Sequence, residues 1–148
     1  MARFENRNSK LETASNLTDT QIRDFTDLKV WQLGRELRKQ VYRLARKFPA
    51  EEKFGLASQA QRAAVSITAN IAEGFGRYSY QENIQFCRTA RGSAFEVRDH
   101  LITAEDQNYI SASERQNIDA LAQRVIQTLN GYIRATKERQ GLKEPRKP

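Results

Sequence analysis

LASQAQRAAVSITANIA, residues 56–72, is apolar or small at nearly every position. Ala57, Ala60, Ala63, Ala64, Ser66, Ala69 and Ala72 stand among Leu56, Val65, Ile67 and Ile71, in a composition that favours a helix. A helix apolar on so many faces is expected to be buried on several sides. On its N-terminal side, Val30, Gly34, Leu37, Val41, Leu44 and Phe48 alternate at spacings of four and three. That stripe predicts a first helix from Thr26 or Asp27 to about Lys47, ended at Phe48 because Pro49 forces the residue before it into extended backbone. The central helix follows Pro49 after an irregular turn near Phe54 and Gly55, and reaches Glu73, where Gly74 and Gly76 are expected to stop it.

On the C-terminal side, Ser79 with Glu82 three residues on forms a capping box for a third helix over about Tyr80 to Asp106. Its stripe is Ile84, Cys87, Ala90, Ala94, Val97, Leu101 and Ala104. Ser111 with Glu114 opens a fourth helix carrying Ile118, Leu121, Val125, Leu129 and Tyr132, expected to end before Gly141. The expectation is all-α: an antiparallel up-down-up-down four-helix bundle over residues 26–140, with a flexible tail at 1–25 and a basic tail at 141–148.

The chain of 148 residues is 39% hydrophobic and 29% charged with a mean hydropathy of -0.77, which fits one small, folded, polar domain. It lacks an apolar run long enough for a membrane span and an apolar signal core, so a cytoplasmic protein without membrane contact is expected. One Cys and one His cannot supply an internal disulfide, a zinc knuckle or a di-iron site, so no metal or other cofactor is expected. The net charge of +7 favours a polyanionic partner, with RNA or DNA foremost.

That charge is uneven: residues 26–48 hold seven basic and two acidic side chains, while residues 79–110 hold three basic and five acidic. Arg35, Arg38, Lys39, Tyr42, Arg43, Arg46 and Lys47 fall opposite the Leu37, Val41 and Leu44 stripe. Such a band can meet successive phosphates, and Tyr42 can stack on a base; the same pattern also suits a solvated face with no ligand. A second basic cluster, from Arg134 to Lys147, also offsets the dipole of the last helix.

Catalysis has little to draw on. His100 beside Leu101 reads as a partly buried structural histidine and Cys87 as a small core residue. The turn from Gly74 to Gly76 lacks the third glycine, the preceding strand and the following lysine of a phosphate loop. Gln59, Arg62, Ser66, Asn70 and Glu73 instead share one helical face and need polar partners, for which Arg91, Ser93 and Glu96 on the third helix are available. That set, with Arg77, reads as a structural network or a subunit interface, with a nucleic-acid or ligand site as the alternative, and Phe75, Tyr78 and Tyr80 around the turn add to a contact surface.

The runs Gly55–Gln59, Arg62–Ile67, Ala69–Arg77 and Ala90–Ser93 resemble the four-helix family named for the 23S rRNA intervening-sequence protein, over about residues 25–138. Thr68 stands where that family usually has proline, which removes a helix kink. The resemblance implies a bundle that assembles into a barrel-like homopentamer without enzymatic activity. Some relatives are encoded within insertions in ribosomal RNA genes. Others are similar to the accessory variability determinant of diversity-generating retroelements, a basic pentamer that binds a reverse transcriptase and nucleic acid. The leading expectation is therefore a homo-oligomeric nucleic-acid-binding adaptor, and the alternative is a protein-interaction scaffold such as an accessory subunit of a reverse transcriptase.

Overall fold

The computed structural model describes residues 22–143, so most of the N-terminal tail and residues 144–148 lie outside it. The described residues form four α-helices and no strands: α1 (Lys29–Ala45), α2 (Leu56–Gly76), α3 (Tyr80–Asp106) and α4 (Ala112–Lys143). Short 3-10 turns cover Phe25–Asp27 and Ala50–Glu52. None of the four is long and apolar enough to cross a membrane.

The stripe of α1 buries Val30, Gly34, Leu37, Val41 and Leu44, and Phe48 follows it inward to meet the Tyr109 ring at 5.6 Å. After Pro49, the Glu52 carboxylate accepts the Leu56 backbone N–H at 2.6 Å and the Tyr109 hydroxyl at 3.2 Å. One side chain thus caps α2 and ties its start to the turn between α3 and α4, a role the local sequence did not reveal.

α2 does not stop at Gly74. The helix runs on to Gly76, and Gly74 is buried against α3, where an added Cβ would stand 2.8 Å from Asn83 Oδ1 and 2.9 Å from Phe86 Cβ. This glycine serves close approach rather than termination. The stop comes at Arg77 and at Tyr78, whose φ of 59° turns the chain into α3. Gly34 plays the same part between α1 and α2, since a Cβ there would lie 3.2 Å from Thr68 Cγ2. Ser79 Oγ then accepts the Glu82 N–H, and at the next turn Ser111 and Glu114 exchange both bonds of a capping box at 3.1 Å. α4 passes through Gly141 to Lys143, beyond the boundary expected at residue 140. One glycine costs a helix only about 1 kcal/mol, so Gly141 alone does not end it.

Close packing joins α1 to α2, α2 to α3, α3 to α4, and α4 back to α1, leaving α1 and α3, like α2 and α4, diagonally opposed. Leu37, Ile67, Ile71, Val97, Val125 and Leu129 fill the centre. Between α3 and α4, numbers that rise along one helix meet numbers that fall along the other: Asn83 bonds Tyr132, Arg91 bonds Asn130, Arg98 bonds Asp119 and Arg115 pairs with Glu105. α2 departs from the expected burial on several sides. Its inner face is Ala57, Ala60, Ala63, Ala64, Ile67, Thr68, Ile71 and Gly74, while Val65 and Ala69 face solvent, because helices flank it on only two sides.

Candidate functional site

Arg38, Lys39, Tyr42, Arg43 and Arg46 come together on the outward side of α1, where with Val65 of α2 they line an open concavity of about 420 Å³. Four cations and no carboxylate form its wall, so the potential there is uniformly positive. Arg38 is the fixed member: its Nη1 donates to Thr68 Oγ1 at 2.8 Å, and the Thr68 hydroxyl donates to the Val65 carbonyl at 3.1 Å. Lys39, Arg43 and Arg46 extend into solvent, and Tyr42 is 39% exposed among them.

A second concavity of about 510 Å³ shares Tyr42 and Val65 with the first and is completed by Ser58, Gln61, Arg62 and Ser66. The groove therefore crosses from α1 onto α2. By spacing alone, Arg62 and Ser66 fall in a structural network or interface, with a ligand site as the alternative, and are not joined to the basic band of α1. Their participation depends on how α1 sits against α2, which no spacing within either helix encodes.

Two members of the predicted band lie elsewhere. Arg35 packs over the Trp31 ring at 5.7 Å. Lys47 pairs with Glu114 of α4 at 2.5 Å, and this bond, with the Ser111 N–H, holds the Glu114 carboxyl below its ordinary range. Lys47 is turned towards α4 because it lies on the flank of α1 nearer that helix.

The polar face of α2 is narrower than the pattern suggested. Ser66 Oγ meets Ser93 Oγ at 2.8 Å, Asn70 donates to the Ser66 carbonyl at 2.8 Å and to its hydroxyl at 3.0 Å, and Ser93 reaches back to the Thr89 carbonyl. Glu73 and Arg77 form an exposed ion pair on the same helix. Gln59 and Arg62 face solvent. Of the α3 candidates only Ser93 joins this network: Arg91 turns to Asn130 on α4, and Glu96 bonds His100 at 3.2 Å within its own helix. Phe75 packs against the core while Tyr78 is 99% exposed.

The sequence profile of the 23S rRNA-intervening sequence protein family matches residues 26–131. The chain belongs to that family. Its fold is similar to the crystal structure of a protein of unknown function from the S23 ribosomal protein family of Bacteroides thetaiotaomicron, with a TM-score of 0.66 at 22% identity, covering 70% of this chain and 97% of the other. No curated protein matches the chain.

In this member of the 23S rRNA-intervening sequence protein family, the titratable core groups have structural surroundings. Cys87 is fully buried, and burial pushes its thiol up to about 12, so it is not a nucleophile at neutral pH. His100 is buried with its Nε2 on Glu96. Asp119 accepts from Arg98 Nε at 2.7 Å and from Gln123 at 2.6 Å, locking α3 to α4. Burial alone would raise the Asp119 carboxyl, but these bonds and the charges of Arg98 and Arg115 outweigh it and hold it below the usual range.

Proposed function

We propose that this protein is a non-catalytic, homo-oligomeric adaptor that holds nucleic acid on the basic surface of α1. The observation that carries this reading is the concavity walled by Arg38, Lys39, Arg43 and Arg46 without a carboxylate. Cations grouped in this way release the counterions condensed on a polyphosphate chain, which is the main source of sequence-independent affinity. The pairs that join α3 to α4, with numbers rising along one helix and falling along the other, support an antiparallel up-down-up-down bundle, and self-association follows from the resemblance. The pentameric number and the cytoplasmic setting follow from the resemblance and the composition.

The test is a triple variant, Arg38→Gln, Lys39→Gln and Arg43→Gln, with Lys39 and Arg43 exposed, Arg38 half-buried and all three outside the apolar core. Affinity for RNA and DNA is expected to fall alike for all sequences and to become less sensitive to salt. Unchanged affinity overturns the reading.

A second reading, a scaffold for a protein such as a reverse transcriptase, draws on Phe95 and Ile102. These residues are seven apart on α3 and 50% and 48% exposed. A protein partner retained after nuclease treatment, with no direct nucleic-acid binding by the purified chain, favours it over the first.

A further inference from the structure

We propose that the groove between α1 and α2 receives a single strand rather than a duplex, with an unpaired base stacked on Tyr42. This deepens the reading of α1 as a nucleic-acid surface and rests on it. Tyr42 stands on the wall common to both concavities, with Arg38, Lys39, Arg43 and Arg46 on one side and Arg62 on the other. Tyr42 is 39% exposed, whereas Trp31, Phe48 and Tyr109 each have an aromatic partner. Val65, itself 40% exposed, supplies a second apolar surface across the groove.

An aromatic ring and a branched aliphatic side chain among cations match the two halves of a nucleotide, a flat apolar base and an anionic phosphate. Ser58, Gln61 and Ser66 add neutral donors and acceptors in the second compartment, where the edge of an unpaired base has hydrogen bonds to make. A duplex has the phosphates but no free base face, because its bases are stacked on one another and their pairing edges are already bonded. Packed helix axes lie about 8–10 Å apart, so the groove between them has room for one base and not for a whole double helix. Phosphates of a duplex can touch the arginines only from outside.

The experiment uses the full-length protein with labelled oligonucleotides of about 12 nucleotides. Single-stranded RNA and DNA, the matching duplex, and an abasic strand with the same number of phosphates are titrated by fluorescence anisotropy at one ionic strength. The native protein is expected to prefer the base-bearing single strands. Tyr42→Ala is expected to lower that affinity roughly 5- to 100-fold while leaving the duplex and abasic values in place. Tyr42→Phe, which keeps the ring, should retain the preference. Equal affinity for all probes, or a Tyr42→Ala variant that loses nothing, overturns single-strand stacking while leaving phosphate binding by α1 intact. Absence of binding to every probe removes both, and is distinguished by the native protein alone.

Discussion

Replacing Gly74 with alanine is expected to destabilise the protein, although alanine is the better helix former by about 1 kcal/mol. The new Cβ would stand 2.8 Å from Asn83 Oδ1 and 2.9 Å from Phe86 Cβ, against roughly 3.5–4.0 Å for relaxed carbon contacts. Phe86 Cβ is fixed to the α3 backbone, and Asn83 is held by its 3.0 Å bond to Tyr132, so relief requires moving one helix against the other. Overpacking of this kind costs about 1–3 kcal/mol, which leaves a net loss of up to about 2 kcal/mol after the gain in helix propensity. Gly92 is the internal control: it lies within α3 with nothing within 4 Å of an added Cβ, so Gly92→Ala should gain up to about 1 kcal/mol. At about 3–5 °C per kcal/mol for a domain of this size, the two variants should melt on opposite sides of the native protein. Thermal unfolding followed by circular dichroism at equal protein concentration reads the difference. A Gly74→Ala protein as stable as Gly92→Ala would refute the close approach of α2 and α3.

The Asp119 carboxyl, whose pKa is lower in the folded state than in the unfolded chain, contributes stability above about pH 4 that is lost as the pH falls through the folded value. Asp119→Asn should therefore cost about 1–3 kcal/mol at pH 7 and less at pH 3 by urea titration; equal costs at the two pH values would contradict this. The buried Cys87 should resist a thiol reagent until the protein unfolds. Because burial raises its thiol to about 12, stability should also decline as pH climbs from 9, and rapid labelling of the folded protein would refute both points. Thr68→Val removes the oxygen that fixes Arg38 and should weaken polynucleotide binding about 2- to 5-fold with little change in melting, read by anisotropy and calorimetry; unchanged affinity would mean that Arg38 needs no anchor.

What could be read from the sequence was local. The spacing of Val30, Leu37, Val41 and Leu44 follows from 3.6 residues per turn, and Pro49, Ser79 and Ser111 mark their boundaries through chemistry confined to a few neighbouring residues. Several of the departures depend on a second helix. Gly74 looked like a stop because glycine is a poor helix former, yet its missing side chain is what lets α3 approach. Lys47 belonged to the basic band by periodicity and was diverted by Glu114, which lies sixty-seven residues away in the chain. Arg62 was grouped with Ser66 and Asn70 by spacing, but contributes instead to the wall of a groove that α1 completes. Glu52 and Thr68 carried no pattern, since each acts on a partner that only the assembled bundle brings near.

The most direct measurement is the affinity of the purified protein for single-stranded RNA across a series of salt concentrations. With the four cations of the α1 concavity each meeting a phosphate, log K should fall linearly against log salt with a slope near about -3. Absence of binding at low salt, or an affinity indifferent to salt, would contradict a phosphate-binding role for that surface.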